Sequence, residues 1–355
     1  MILNVLKIFV PVTVSFFIGM ALTPVVAHYL YKNKMWKKKS VNLSIDGRPA
    51  PITASLHKDD VRKTPRMGGL IVWGSVLITI TLFYVLSILF PNDLLFAKMN
   101  FLSRGQTWLP LFTLIVGGII GFIDDYFVVS EKVGDYFAGG LALKKRLLVV
   151  FFVSLLGAWW FYSKLAVTSV IVPFVDEFNI GLWFFPFFVL VMLSVYSGSV
   201  IDGIDGLSGG VFGAIFTTYG TIAFFQNQID LAAFSLVIVG SLLAFLWFNI
   251  PPARFFLSDT GTMALTLTLT VVVFLTKQVV LLPLIALPLA LTTFSVIIQL
   301  LSKKFRGGKK IFIASPYHNH LQATGWPSYK VTMRYWVISV VVAILGLIVA
   351  LLGTV

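Results

Sequence analysis

Seven residues of this chain have the types and spacing to do chemistry together. Asp124 and Asp125 are adjacent, Asp202 and Asp205 are three apart, Asp259 stands alone, and His318 and His320 flank Asn319. Each lies at or just beyond the end of a long apolar run. Carboxylates are unfavourable near lipid, so a membrane chain that gathers them usually has a use for them. Oxygen donors of this kind suit Mg²⁺, and nearby Lys and Arg suit phosphates. The pattern points to a metal and phosphate site built on helix ends.

The segments around these residues refine the reading. Asp124-Asp125 follows Gly121-Phe122-Ile123. Neighbours on a helix point to different faces, so one carboxylate can hold Mg²⁺ while the other meets substrate or a supporting group. A solvated helix end is the plainer alternative. Asp202 and Asp205 share a face if their segment forms a helical turn. Gly203, Gly206, Gly209 and Gly210 would let a diphosphate or sugar come close, and Ser208 could cap the next helix. Pro251 and Pro252 end one apolar run, and Asp259 stands where an N-cap of the next would stand. It can serve as a cap, complete a metal site, or both. His318 and His320 are two apart, a poor metal pair on a helix, and the chain has no cysteine to complete a Zn²⁺ site. Phosphate contact or proton handling suits them better. Arg62-Lys63-Thr64-Pro65-Arg66-Met67-Gly68-Gly69 reads either as a basic lip for phosphates or as a topological anchor. Lys144, Lys145 and Arg146 open a helix against its dipole. That placement favours an anion in front of them, with snorkelling at the membrane surface as the alternative.

The elements that must position these residues are membrane helices. The 355 residues are 58% hydrophobic and 12% charged, whereas soluble domains carry about 25% charged residues. The expected fold is an all-α integral membrane protein forming a single domain over 1–355. Ten apolar runs, near 8–31, 68–90, 108–123, 147–163, 181–199, 208–225, 231–248, 260–276, 279–301 and 332–353, each approach the ~20 residues that span the hydrocarbon core. The first run is too long for a signal-peptide core and precedes a strongly basic loop, so it reads as a retained helix. Pro283 and Pro288 should bend or break the ninth run and open a groove for a lipid chain. The connections after the odd-numbered spans hold 22 of the 27 Lys and Arg and ten of the fourteen acids. This bias puts those connections in the cytoplasm and both termini on the periplasmic or extracellular side. The candidate site then lies on cytoplasmic loops. The net charge of +13 reads as this cytoplasmic surface, with the bilayer rather than nucleic acid as the partner.

Five motifs in order resemble the polyprenyl-phosphate N-acetylhexosamine-1-phosphate transferase superfamily. Thr64-Pro65-Arg66-Met67-Gly68-Gly69 resembles its TPTMGG, Asp124-Asp125 its DD pair, Asp202-Gly203-Ile204-Asp205-Gly206-Leu207 its DGLDGL and Asp259-Thr260-Gly261 its D-x-G. His318-Asn319-His320, with Gly325-Trp326-Pro327 and Arg334-Tyr335-Trp336, resembles the muramoyl branch, the phospho-N-acetylmuramoyl-pentapeptide transferases. The resemblance runs from about Lys63 to the last helix. The chain departs from the family pattern at Asn319 (usually His), Ser199 and Tyr196 (usually Asn) and Ser258 (usually Gly).

The resemblance implies transfer of a sugar phosphate from UDP-MurNAc-pentapeptide to undecaprenyl phosphate, giving lipid I and UMP. It implies a multi-pass protein of the bacterial inner (plasma) membrane and a homodimer. Both reactants are anionic, so Mg²⁺ and basic residues must offset their repulsion. Asp125, Asp202 and Asp259 are the expected metal ligands, and Asp124, Asp125, Asp259 and His318 the expected catalytic group. Lys63, Lys144, Arg146, Ser199, Asp202, Asp205, Asn249, Asn319 and His320 are the expected substrate contacts. Asp124 is the family's candidate for deprotonating the lipid phosphate. That role is expected to be small, since a phosphate monoester's second pKa is about 6 and the nucleophile is mostly ionised at pH 7. A sister enzyme using UDP-GlcNAc or another UDP-HexNAc is the nearest alternative. A transporter is the next, but transporter acids tend to lie near the midplane.

Overall fold

A computed structural model describes residues 2–37, 63–130 and 140–353; Arg62 of the basic segment lies outside them. Long Leu-, Val-, Ile- and Phe-rich stretches leave backbone polar groups without water, so the helix is the form that satisfies them internally. The elements are α1 (Ile2–Lys32), α2 (Gly69–Leu89), α3 (Leu94–Met99), α4 (Trp108–Ser130), α5 (Leu143–Lys164), α6 (Phe184–Ser197), α7 (Leu207–Phe225), α8 (Ile229–Asn249), α9 (Ser258–Leu275), α10 (Leu282–Ile285), α11 (Leu287–Phe305), α12 (Tyr317–Ala323) and α13 (Ser328–Leu352). Nine of the helical segments among the described residues are long and apolar enough to cross a membrane. A tenth span is broken: Val279–Ile285 and Leu287–Phe305 meet at 84°. Pro283 and Pro288 each sit in the first turn of their helix, where a missing N–H is harmless, so the break falls at Ala286 between them. Each of the ten expected apolar runs is helical, the ninth as this bent pair.

Two short strands depart from the all-helix expectation, and two short helices lie outside the expected runs. Ser169–Val172 and Asp176–Asn179, here β1 and β2, pair antiparallel with Ser169 opposite Asn179. Helices α3 and α12 have six and seven residues, too few turns to leave a periodic signature in sequence. The third apolar run also continues further than expected. The helix passes through Asp124 and Asp125 to Ser130, so the acids lie within α4 rather than beyond its end.

Helix α9 is the centre of the bundle, and 89% of its span is buried. Its first turn is held by two close backbone approaches. A Cβ on Gly69 would collide with the Gly261 backbone, and a Cβ on Gly121 would collide with the Asp259 carbonyl. Asp124 and Asp125 follow Gly121 by three and four residues, so they share its helical face. The glycine contact therefore delivers the acidic pair of α4 to the N-terminus of α9. The segment before α2 completes the seam, where Gly68 N–H donates to the Phe256 carbonyl and Phe256 N–H to the Pro65 carbonyl, at 2.8 and 2.9 Å.

Replacement of Gly121 by Ala should destabilise the protein by about 3 kcal/mol, because backbone cannot move aside as a side chain can. Gly213→Ala on α7, where a Cβ meets nothing within 4 Å, should be neutral or slightly stabilising, since alanine is the better helix former. Thermal melts of the two detergent-solubilised variants check this. Equal melting temperatures would show that the α4–α9 contact does not limit stability.

Candidate active site

Four buried or partly buried acids converge where α4 ends and α9 begins, with two arginines among them. Asp125 is fully buried on α4. Its Oδ2 accepts from Thr260 N–H at 2.9 Å and from the Thr260 hydroxyl at 2.6 Å. A carboxylate suits that position because the start of a helix presents free N–H groups and a positive dipole end. Its Oδ1 accepts from Arg66 Nε at 2.9 Å. Asp124, also fully buried, is turned about 100° from Asp125 around the helix and meets different partners. Its Oδ1 accepts from Leu141 N–H, and its Oδ2 lies 3.2 Å from Arg146 Nη1. Asp259 Oδ2 lies 3.5 Å from both Arg66 Nη2 and Arg146 Nη1. The Asp259 carboxyl is within hydrogen-bonding reach of Asp124. Asp202 closes the group from the α6–α7 connection, with Oδ1 accepting from Ser208 Oγ at 2.6 Å and Oδ2 from Ser258 N–H at 2.7 Å.

Burial pushes the Asp202 carboxyl above its ordinary range, while the bonds from Ser208 and Ser258 and the field of Arg66 oppose that rise. Burial alone would lower the Arg66 guanidinium, but Asp125 and then Asp259 more than reverse it, so Arg66 is held firmly charged. Arg66 and Arg146 retain about a quarter and a fifth of their side-chain exposure, so the cluster is open on one side.

The expected site residues divide into those this cluster holds and those it does not. Asp124, Asp125, Asp202, Asp259 and Arg146 are in it. His318 packs against Gly203, where a Cβ would strike its Nε2, one residue from Asp202. Asn319 is buried beside it, and its Oδ1 has no hydrogen-bond partner. Ser199 is half-buried in the short 3₁₀ turn Gly198–Ile201 that leads into Asp202. Lys63 and Lys144 are exposed.

Three expected contacts serve the scaffold. The Asn249 side chain accepts from Gly206 N–H and donates to the Phe255 carbonyl, tying two loops together. His320 is stacked with Phe312 and Tyr317, and its Nδ1 accepts from Ile313 N–H. Asp205 accepts from Ala253 N–H through Oδ2. The two acids do not share a helical face, because the 3₁₀ turn ends at Asp202 and Gly206 takes φ +75° before α7 starts. Two capping expectations also fail. Asp259 and Ser208 sit inside their first turns, and the cap positions are Leu257 and Gly206. Each side chain is instead turned to the acid–arginine group.

Sequence reading underweighted Arg66 and missed Tyr196 as a member of the site. Arg66 looked like one basic residue in a lip of several. Only the seam with Pro65 and Phe256 shows that it points inward. Tyr196 is a departure from the family pattern, and its hydroxyl lies near the Arg146 guanidinium.

Ser258 explains another departure. It takes φ +56°, a conformation glycine adopts freely and other residues resist by about 1–2 kcal/mol. Its hydroxyl is buried without a hydrogen-bond partner, so the side chain returns nothing for that strain. Ser258→Gly should therefore raise stability by about 1 kcal/mol, read as a higher melting temperature. A lower one would assign the serine hydroxyl a structural bond.

The family profile described as Glycosyl transferase family 4 matches residues 107–277, a stretch that carries Asp124, Asp125, Asp202, Asp205 and Asp259. The chain is 35% identical over 291 residues to the phospho-N-acetylmuramoyl-pentapeptide-transferase of Listeria innocua, covering 81% of this chain and 84% of that protein. It is 33% identical over 289 residues to the protein of the same name from Anoxybacillus flavithermus, covering 80% and 83%. Against the Chlorobium phaeobacteroides protein of that name it is 33% identical over 312 residues, covering 80% and 79%. Identity at this level across four-fifths of the chain, with nine or more membrane-length helices, shows that the chain belongs to the phospho-N-acetylmuramoyl-pentapeptide-transferase family and is a multi-pass bacterial membrane protein.

Proposed function

We propose that this protein makes lipid I for peptidoglycan synthesis, transferring phospho-MurNAc-pentapeptide from UDP-MurNAc-pentapeptide to undecaprenyl phosphate. The lipid phosphate oxygen attacks the sugar-proximal phosphorus, and the bond from that phosphorus to the bridging oxygen breaks. UMP leaves with the electron pair. The observation that carries this reading is the meeting of Asp124, Asp125, Asp202 and Asp259 with Arg66 and Arg146 in a chain whose relatives bear that name.

The chemistry requires two anions to approach each other, so the residues have electrostatic work to do. Arg66 and Arg146, with exposed Lys63 and Lys144 nearby in the chain, lower the repulsion between the phosphates. His318 and Asn319 border the loop at Gly203 and are placed to contact phosphate or the sugar nucleotide. The lipid phosphate is already mostly ionised at pH 7, so Asp124 acts chiefly by orienting Arg146.

The donor set supports a Mg²⁺ requirement. The candidate ligands are carboxylate oxygens, and Mg²⁺ is usually held by one or two carboxylates together with phosphates and waters. Among the described residues no group of three or more His, Cys, Asp or Glu is arranged as a cage. Asp125 and Asp202 already engage both of their oxygens. Both Asp124 oxygens are likewise engaged, so Asp259 would be the principal ligand. When bound, Mg²⁺ would neutralise charge on the diphosphate and on departing UMP.

A groove of about 720 Å³ supports the polyprenyl acceptor. Phe151, Leu155, Phe185, Val189 and Leu193 line it, and Ile297 of the bent span closes one side. Ser197 on its wall adjoins Tyr196, the neighbour of Arg146. A chain lying there would bring its phosphate to the arginines. The Lys and Arg distribution supports a cytoplasmic site with both termini outside, and the homodimer expected from the family is part of the same reading.

Purified protein with Mg²⁺ and undecaprenyl phosphate should release UMP from UDP-MurNAc-pentapeptide and not from UDP-GlcNAc. Chelation of divalent cations should stop the reaction. Asp259→Asn should lower kcat on the order of a hundredfold or more, with an unchanged gel-filtration profile. UMP release from UDP-GlcNAc alone would assign the protein to another sugar, and full activity in Asp259→Asn would remove that residue from the site.

A further inference from the structure

Arg66 holds the two carboxylates it touches unequally. Its Nε meets Asp125 Oδ1 at 2.9 Å, whereas its Nη2 stands 3.5 Å from Asp259 Oδ2. Asp125 is also fixed from its other side by the Thr260 amide and hydroxyl. The backbone of Arg66 is pinned as well. Its N–H donates to the Met35 carbonyl at 2.8 Å, and Pro65 before it and Gly68 after it both bond to Phe256. The Nε end is therefore an anchor, and the Nη2 end is the weaker contact. Asp259 has no such fixing: its Oδ2 is shared at equal length between Arg66 and Arg146. In the TPTMGG pattern quoted above, the residue at this place is a neutral threonine.

We propose that Arg66 is a tethered counter-ion that competes with the divalent cation for Asp259. With a cation held there, the Asp259 carboxylate would leave Nη2 while Nε stays on Asp125. The freed guanidinium edge then faces the incoming diphosphate. The physical reason is that a cation and a guanidinium repel each other and want the same oxygen. Arginine's planar fork can release one edge and keep the other. Arg66 is thus a positioning residue: it bridges Asp125 and Asp259 until a cation takes the second of them. This inference rests on the proposed placement of the cation at Asp259.

Mn²⁺ binding, followed by electron paramagnetic resonance of the free ion on the full-length purified protein, tests both layers. Arg66→Gln removes the competing charge and should bind Mn²⁺ about tenfold more tightly than the parent protein. Arg66→Lys keeps the charge, and so protects folding, but a compact ammonium cannot span both carboxylates. It should bind Mn²⁺ about threefold more tightly. A purely structural role would lower the melting temperature and leave affinity unchanged or weaker. Unchanged or weaker Mn²⁺ binding in the folded Lys variant overturns the competition. Unchanged Mn²⁺ binding in Asp259→Asn overturns the cation placement itself, and that arm is read in the arginine-containing protein.

Discussion

The structure depends on holding several carboxylates close together and mostly out of water. Left alone, buried acids this near each other would take up protons rather than stay ionised. Three kinds of donor oppose it here. Arg66 and Arg146 supply full positive charge to Asp125, Asp124 and Asp259. The first residues of α9 supply N–H groups, from Ser258 to Asp202 and from Thr260 to Asp125. Hydroxyls of Ser208 and Thr260 supply the remaining bonds. Each acid is reached by a different combination, so the group is a network rather than a set of independent ion pairs.

Helix packing makes the network possible. Gly121 lets α4 touch the backbone at Asp259, and Gly69 lets α2 touch it at Gly261. No side chain separates these helices at the level of the acids, so carboxylates from distant parts of the chain meet directly. The same crowding leaves its mark on the backbone. Met67 and Ser258, on the two sides of the seam, both take positive φ. The scaffold is distorted where the site is assembled, as strained backbone at functional sites often is.

Three residues that differ from the quoted family motifs lie close together. Arg66 binds Asp125, Tyr196 lies near Arg146, and Ser258 binds Asp202 through its amide. All three belong to one polar network. A change in one member alters the charge felt by the next, so such differences are best read together. They adjust how the carboxylates are balanced while the carboxylates themselves stay in place.

Much of this protein was legible in its amino-acid sequence. Run length and hydropathy determine ten membrane spans, because the hydrocarbon thickness sets helix length. Pro283 and Pro288 mark the break in the ninth span. The spacing of Asp124, Asp125, Asp202 and Asp259 at the ends of apolar runs marks the site. Other features were decided only by tertiary structure. Asn249 and His320 have the chemistry of ligands, yet they bind loop backbone and aromatic rings. Arg66 has the look of a surface anchor, yet it lies between two acids. Asp202 and Asp205 are three apart, yet they diverge. The reason is the same in each case. Periodicity and composition determine which helices form and how far they run. The direction of a side chain in a loop depends on which distant backbone groups arrive beside it, and only close packing of α2, α4 and α9 specifies those.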